Sequence, residues 1–256
     1  MQWITRRCAL GGLAALSIGP LARAGTPDNI SVTADDGPIA VDRYAADHGG
    51  KRPAVIVLHG SRGIELRPRA YQRYADALNA IGIDVYLVRY FTAADAEALD
   101  PKTSTRERRE AYDIERFAGW AKRVSAVITA LLARPDNSGS IGLLGFSLGG
   151  YIAADTAARD QRVAALAVLY GGMPDAMIRE VKHLPPLIEL HGDADRNVPF
   201  AKGRQLVEIA NALGVPAEQV AYPGKAHAFD FSDTDAATSD AIGRVTRFFH
   251  ARLAME

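Results

Sequence analysis

Cysteine is almost absent from this chain of 256 residues, which contains only Cys8, close to the amino terminus. A single cysteine excludes an intrachain disulfide, and the rest of the chain has no thiol for catalysis or for a thiolate metal site. Histidine, aspartate and glutamate also form no group with the sequence spacing of metal ligands. The sequence therefore predicts no metal and no cofactor.

An excess of charge of either sign is also missing, because 30 basic residues balance 30 acidic residues and the formal net charge is zero. Without a broad basic field the surface is poorly suited to nucleic acid or to an anionic membrane, and we expect neither partner. Hydrophobic residues make up 48% of the chain and charged residues 23%, which is enough apolar material for a substantial globular core.

Long apolar runs are absent too, since the apolar stretch at residues 8–18 is too short to span a bilayer. It follows Thr5-Arg6-Arg7 and precedes Ala22-Arg23-Ala24, a small-x-small pattern that signal peptidases accept. We interpret residues 1–24 as a secretory signal similar to twin-arginine signals. The mature chain is expected to begin near Gly25, in a bacterial periplasm and without stable membrane insertion. A retained membrane anchor is the alternative interpretation.

Apolar runs of strand length recur along residues 25–256 and alternate with helical patterns. This alternation predicts an α/β fold with a mostly parallel sheet and helices on both of its faces. Residues 30–33 precede the first of these runs without an intervening helix, which predicts an antiparallel amino-terminal edge. No linker divides the chain, so we predict one domain. The runs lie at residues 39–44, 54–58, 84–88, 140–144, 164–170, 187–191 and 219–222.

The clearest helical pattern covers residues 107–132, where apolar residues recur at steps of three and four. We interpret most of this stripe as core and assign it no ligand role. The preceding residues 92–105 are rich in Ala, Asp and Thr and predict a loop near the functional face of the sheet. The stripe consists of Ile114, Phe117, Trp120, Val124, Val127, Ile128 and Leu131.

The most informative segment is Gly145-Phe146-Ser147-Leu148-Gly149, which lies between an apolar run and a helix-like segment at residues 151–158. A G-x-S-x-G sequence between a strand and a helix is typical of a nucleophile elbow, a tight turn that exposes the serine hydroxyl. Glycine is needed on both sides, because a side chain there would collide with the strand or the helix. Ser147 is therefore the candidate nucleophile.

A serine nucleophile needs a general base within hydrogen-bonding distance, and a carboxylate must orient that base. Among six histidines His227 is best placed, in a loop between the last strand run and the final helix. His59 and His191 each end a strand and precede a glycine, where an imidazole often braces the turn. Asp193 and Asp195 both follow the strand run at residues 187–191, and both are candidates for the orienting acid. Asp195 is alternatively a helix cap at Pro199.

Attack on a carbonyl creates a developing oxyanion that requires backbone N–H donors. The Leu148 amide, directly after the candidate nucleophile, is one predicted donor. The other is expected from the loop at residues 59–63, where the Ser61 amide is favoured and the Arg62 amide is the alternative.

These segments resemble the dienelactone hydrolase family of the α/β-hydrolases, over essentially all of residues 25–256. The resemblance is carried by Leu58-His59-Gly60 and by the segments at residues 145–150, 191–199 and 224–229. It implies the α/β-hydrolase fold and a Ser-His-Asp triad. It also implies that Asp195, which lies three residues before a Val-Pro pair, is the acid instead of Asp193.

The chain departs from the family pattern in the substrate region. Typical members have cysteine where this chain has Ser147, and glutamate near the oxyanion loop where this chain has Gly60. They also bind a substrate carboxylate with arginines at places where this chain has Thr92-Ala93 and Asp230-Phe231. The resemblance with these differences favours a serine esterase over an enzyme specific for the lactone that names the family.

The sequence thus predicts hydrolysis of small-molecule carboxylic esters or lactones through an acyl-enzyme intermediate, with such a substrate as the expected partner. Three alternatives share the scaffold: a peptidase, a thioesterase, and a non-catalytic periplasmic binding protein that kept the fold.

Overall fold

The computed structural model of the protein describes residues 27–253, so the predicted signal at residues 1–24 lies outside the described residues. From β3 onward, one or two helices separate consecutive strands, except that β7 follows β6 without a helix between them. The strands are β1 (Asp28–Ala34), β2 (Gly37–Tyr44), β3 (Arg52–Leu58), β4 (Asp84–Arg89), β5 (Asn137–Phe146), β6 (Val163–Leu169), β7 (Leu187–Gly192) and β8 (Ala217–Tyr222). The helices are α1 (Pro68–Asn79), α2 (Ala93–Ala98), α3 (Arg106–Leu132), α4 (Leu148–Arg159), α5 (Phe200–Ala212) and α6 (Ala236–Leu253).

Within the described residues the strands form one eight-stranded sheet in the order β1-β2-β4-β3-β5-β6-β7-β8. The pairs β1–β2 and β2–β4 are antiparallel. The other neighbouring strands run parallel to each other. The predicted fold, a mostly parallel sheet with an antiparallel amino-terminal edge, is confirmed.

The central strands are buried on both faces, because helices cover the sheet on both sides. In β3, Ala54, Ile56 and Leu58 belong to one hydrophobic cluster, and the alternating residues Val55 and Val57 belong to the other. Side chains two residues apart point to the same face of a strand, so each face receives its own apolar set. The first cluster is completed by α3, α4 and α5, and the second by α1 and α6.

The segment at residues 92–105 was predicted as a loop, but the structure contains the short helix α2 in it. Thr92 caps this helix, and Thr92 and Asp95 form a reciprocal capping box. The Asp95 carboxylate is fully buried and also accepts hydrogen bonds from Tyr112 and Arg116 of α3. The Thr-x-x-Asp spacing was a local signal for a helix start. The contacts with α3, which sequence alone does not show, stabilise the single helical turn.

No helix among residues 27–253 combines the length and the apolar character that crossing a membrane requires.

The junction between β5 and α4 brings three backbones unusually close together. A Cβ atom added at Gly145 would lie 2.2 Å from the Gly149 carbonyl oxygen. A Cβ added at Gly149 would lie 2.2 Å from the Leu58 carbonyl oxygen at the end of β3. Both contacts are with backbone, which cannot rotate out of the way as a side chain can. Only glycine fits at these two positions, and the start of α4 is thereby fixed against the ends of β3 and β5.

Replacing Gly149 by alanine tests this close approach. We expect Gly149→Ala to lower the free energy of unfolding by about 1–3 kcal/mol or more, because the added methyl group must push α4 away from β3. Urea unfolding followed by far-ultraviolet circular dichroism measures the change.

Gly49→Ala is the matched control, since a Cβ at Gly49 would meet no atom within 4 Å. We expect its free energy of unfolding to stay within about 0.5 kcal/mol of the parent value. Equal unfolding midpoints for the two variants would contradict the packing described for the junction.

Candidate active site

The predicted site residues all lie in loops at the carboxyl ends of parallel strands. Ser147 follows β5, Asp195 follows β7 and His227 follows β8, while Ser61 belongs to the loop after β3. The carboxyl ends of parallel strands meet at the same edge of a sheet, which is where open α/β folds bind their ligands. Residues far apart in the sequence are brought together there.

Ser147 lies in the turn between β5 and α4 with φ 54° and ψ −119°. This left-handed backbone conformation is rare for a residue with a side chain and is typically strained by about 1–3 kcal/mol. The turn is held by hydrogen bonds that the Ser147 amide donates to the Leu169 carbonyl, at 3.0 Å, and that the Gly150 amide donates to the Ser147 carbonyl, at 2.8 Å. The strained turn presents the hydroxyl group at the sheet edge instead of in the core.

His227 connects the serine to the carboxylate. Its Nε2 atom lies 2.9 Å from Ser147 Oγ, and its Nδ1 atom lies 2.7 Å from Asp195 Oδ2. Since a carboxylate only accepts, Nδ1 carries the proton, and in the neutral ring Nε2 is left to accept from the serine hydroxyl. The ring packs edge-on against Tyr170, with the ring centroids 4.7 Å apart.

Asp195 is the carboxylate that the structure places beside His227. Its side chain is fully buried, and its Oδ1 atom accepts hydrogen bonds from the Asn197 and Val198 amides, at 2.8 and 3.0 Å. Asp195 does not cap α5. Pro199 occupies the N-cap position of this helix, and no side chain accepts a capping hydrogen bond there. The competitor Asp193 is exposed, and its Oδ1 atom accepts from the Gly224 amide instead.

His191 makes a contact with the site that the sequence did not reveal. Predicted only to brace a turn, it is fully buried, and its Nε2 atom lies 3.2 Å from Asp195 Oδ2 and 3.1 Å from the Val198 carbonyl oxygen. Its Nδ1 atom lies 2.8 Å from the buried carboxylate of Glu189. The available signal was Glu189 itself, a charged residue within an apolar strand run, because a buried charge needs a partner.

The loop after β3 lies directly against the serine. A Cβ at Gly60 would lie 3.5 Å from the Ser147 Cβ atom, and the Gly63 amide bonds to the Gly60 carbonyl to close a turn. His59 braces this turn, since its Nδ1–H donates to the Gly60 carbonyl at 2.8 Å and its ring stacks on Tyr90. Burial lowers the pKa of His59 to about 4, so this imidazole is neutral at physiological pH.

Both predicted oxyanion donors line the same cavity as Ser147. Leu148 is the first residue of α4, where an amide has no acceptor in the preceding turn of the helix. Ser61 and its alternative Arg62 both lie in the turn after β3, on the cavity wall.

A cavity of about 1000 Å³ opens at Ser147 and His227. Ile114 and Phe117 line it. Ile114 is 68% exposed and is the exception in the predicted core stripe, whereas Phe117 is partly buried and also packs against the core. The fully buried residues of α3 begin at Trp120, and the amino-terminal part of this long helix contributes one wall of the cavity.

The two places where typical family members have substrate-binding arginines provide no cation here. Thr92 caps α2, and Asp230 is buried, where it accepts hydrogen bonds from Tyr74 and Tyr170 at 2.7 and 2.9 Å. Phe231 lines the cavity. Asp113 also lines it, and burial together with the charge of Glu110 raises the pKa of Asp113 to about 7.

Among residues 27–253, no three or more His, Cys, Asp or Glu side chains are grouped so that they could hold a metal ion.

Comparison with protein families gives one match, to the model of the dienelactone hydrolase family, over residues 41–253. No curated protein sequence matches the chain significantly.

Solved structures similar to this one include hydrolases from several sources. A dienelactone hydrolase from Anabaena variabilis is 22% identical with a TM-score of 0.71, over 90% of this chain and 100% of that chain. A dienelactone hydrolase-like promiscuous phosphotriesterase from metagenomic libraries is 19% identical with a TM-score of 0.73, over 90% and 100%. An esterase from Pyrobaculum calidifontis is 19% identical with a TM-score of 0.65, over 89% and 84%.

At these identities the similarity to solved structures shows that the fold is shared. The match to the family model shows the family to which the chain belongs. The matched residues 41–253 include every strand from β3 to β8, both histidines near Asp195, and Ser147 itself. The chain therefore belongs to the dienelactone hydrolase family and is a carboxylic ester hydrolase of that family.

Proposed function

We propose that the protein hydrolyses carboxylic esters or lactones of small molecules with Ser147 as nucleophile, His227 as general base and Asp195 as orienting acid. One observation carries the proposal: the hydrogen bonds from Ser147 Oγ to His227 Nε2, at 2.9 Å, and from His227 Nδ1 to Asp195 Oδ2, at 2.7 Å, form a continuous chain at a cavity wall. This geometry lets one imidazole take the serine proton while a buried carboxylate balances the new positive charge.

In the first half of the reaction, Ser147 Oγ attacks the ester carbonyl carbon while His227 Nε2 accepts the hydroxyl proton. The carbonyl oxygen becomes an oxyanion, for which the Leu148 and Ser61 amides are the proposed donors. One such donor typically contributes roughly 10²–10³ in rate. His227 then gives its proton to the departing alcohol, which leaves the acyl group on Ser147.

In the second half, water takes the place of the alcohol. His227 removes a proton from the water molecule, the hydroxide attacks the acyl carbon, and the same two amides hold the second oxyanion. Collapse of this intermediate returns the proton to Ser147 and releases the carboxylic acid. Asp195 keeps the proton of the neutral imidazole on Nδ1 throughout, so that Nε2 is available in both halves.

The cavity supports a small organic ester as substrate. It is wide, and its walls combine the apolar side chains of Leu66, Ile114 and Phe117 with polar groups near Ser147. The missing arginines at residues 92–93 and 230–231 favour esters that do not depend on a carboxylate at those places. We propose the periplasm as the place of action, on the basis of the signal pattern at residues 1–24.

Removing the nucleophile is the direct test. We expect Ser147→Ala to lower kcat/KM for a short activated ester by at least roughly 10³-fold, because no other hydroxyl can form the acyl-enzyme. Hydrolysis of p-nitrophenyl acetate and covalent labelling by a fluorophosphonate probe are the measurements.

Ser239→Ala is the control for this variant, since Ser239 is an exposed serine on α6. It should keep both activity and labelling. A folded parent protein that resists the probe would favour a non-catalytic binding protein and would end the proposal.

A matched pair of variants tests the choice of acid. We expect Asp195→Asn to lower kcat by roughly 10³–10⁴, because an amide no longer holds the proton of His227 on Nδ1. Asp193→Asn should leave kcat within a few-fold, because Asp193 is exposed and bonds only to the Gly224 amide among the contacts described. A larger effect of Asp193→Asn than of Asp195→Asn would reverse the assignment.

A substrate panel separates the ester hydrolase from the peptidase and the thioesterase. Simple acyl esters, lactones, thioesters and peptides that share one acyl group should be compared by kcat/KM. We expect oxygen esters or lactones to rank first. Consistent preference for the peptide or for the thioester would replace the proposed substrate class while keeping the three residues in their roles.

A further inference from the structure

We propose that His191 is a positioning residue for this reaction, which holds the Asp195 carboxylate in place and, paired with Glu189, brings a second, positively charged imidazole to the carboxylate that orients His227. The inference rests on the proposed function, because it needs His227 as the general base. It extends the three proposed residues to a chain of five: Glu189, His191, Asp195, His227 and Ser147.

The geometry that carries the inference is a shared oxygen atom. Asp195 Oδ2 lies 2.7 Å from His227 Nδ1 and 3.2 Å from His191 Nε2, so two imidazoles address the same oxygen. The other oxygen, Oδ1, accepts from the Asn197 and Val198 amides. The Asn197 and Val198 amides and His227 Nδ1 donate to this carboxylate, and His191 Nε2 lies beside it while also facing the Val198 carbonyl oxygen. These contacts fix the orientation of the buried carboxylate.

The far side of His191 is equally well defined. Glu189 Oε1 lies 2.8 Å from His191 Nδ1, and Glu189 Oε2 accepts a hydrogen bond from Gln219 Nε2 at 3.0 Å. A Cβ at Gly203 would lie 2.3 Å from the Glu189 carboxyl group, so α5 can pass there only because residue 203 is a glycine. The fold thus makes room for a charged group in a place where apolar packing would otherwise be expected.

The contacts of His191 favour the doubly protonated ring. Its Nδ1 atom meets the Glu189 carboxylate, and its Nε2 atom meets Asp195 Oδ2 and the Val198 carbonyl oxygen, which are all acceptors. Burial lowers the pKa of His191, but the hydrogen bond to Glu189 and the charges of Glu189 and Asp195 outweigh burial and raise that pKa above its usual value.

A positive charge on His191 acts on His227 through Asp195. When His227 takes up a second proton, two cationic rings share one carboxylate, and their repulsion opposes that protonation. The Glu189 charge is farther away and offsets only part of the repulsion. We therefore expect a variant that lacks the charge on residue 191 to lose activity sooner than the parent protein as the pH is lowered.

Other charged or titratable groups around the network could modulate this effect. They are Tyr151 from α4, Tyr170 after β6, Asp193 and Arg196 in the loop after β7, and Lys225 and Asp230 near His227. Lys225 pairs with Asp235, and Asp230 is held by tyrosine hydroxyls. The only histidines described within this network are His191 and His227.

The decisive experiment is the pH profile of kcat/KM for His191→Gln, whose acid limb reports the free general base. Glutamine keeps a hydrogen-bond donor near Asp195 but cannot carry the charge. We expect the acid limb to move to higher pH by roughly 0.5–1 unit. We also expect the plateau value of kcat/KM to fall roughly tenfold, because Asp195 is held less precisely.

His250→Gln is the matched control, since His250 is an exposed residue on α6. Its profile should superimpose on that of the parent protein. A residue with a merely structural role would lower stability or the plateau without moving the acid limb. An unmoved acid limb in folded His191→Gln therefore overturns the inference.

A second measurement needs no variant and applies if His191→Gln does not fold. In ¹⁵N-histidine-labelled parent protein at about pH 6, below the usual histidine pKa of about 6.5, His191 should give the nitrogen shifts of an imidazolium ring with two N–H groups. Shifts of a neutral ring would overturn the inference.

The experiments distinguish failure of the proposed function from failure of the inference about His191. If the parent protein does not react with the fluorophosphonate probe, the hydrolase proposal falls, and this inference falls with it. If the parent protein reacts but the acid limb does not depend on residue 191, only the inference about His191 is wrong.

Discussion

The close contact of backbones at the β5–α4 junction is the constraint on which the site depends. Because Gly145 and Gly149 have no side chains, the start of α4 lies against the ends of β5 and β3, where a Cβ at either glycine would be only 2.2 Å from a backbone oxygen. The turn between them must then be very short, and Ser147 is forced into a left-handed conformation. The strain is balanced by the packing of three neighbouring backbones. The packing of β3, β5 and α4 around the turn therefore determines the direction of the Ser147 hydroxyl.

Around this fixed point, the site is an arrangement of buried charge. Asp195 carries a charge in a place without solvent, where two backbone amides and His227 donate to it and His191 Nε2 lies 3.2 Å from the same oxygen as His227. A buried carboxylate with this many partners cannot rotate without losing hydrogen bonds. Because the carboxylate is fixed, it also fixes the orientation of the His227 ring. The buried Glu189–His191 pair, in which a carboxylate is likewise held by a hydrogen-bonded partner, lies on β7 next to Asp195.

Local patterns gave the elements and most of the candidate positions, and the departures from them have a common origin. The loop predicted at residues 92–105 contains α2 because Asp95 meets Tyr112 and Arg116 of a different helix. Ile114 belongs to the apolar stripe of α3 but is exposed and lines the cavity, because the fully buried residues of this helix begin only at Trp120. In both cases the local pattern was correctly recognised, and the tertiary arrangement of the helices decided the outcome.

The sequence by itself determined the α/β fold, the strand–turn–helix around Ser147 and the order of serine, aspartate and histidine along the chain. These features follow from periodicity, glycine spacing and short motifs, which act over a few residues. The family resemblance favoured Asp195 over Asp193, but only the tertiary structure decided that Asp195 contacts His227, that His191 shares the same oxygen, and that α3 contributes a wall of the cavity. Such choices depend on distances between side chains that are remote in the chain. Those distances exist only once the sheet has aligned its strand ends.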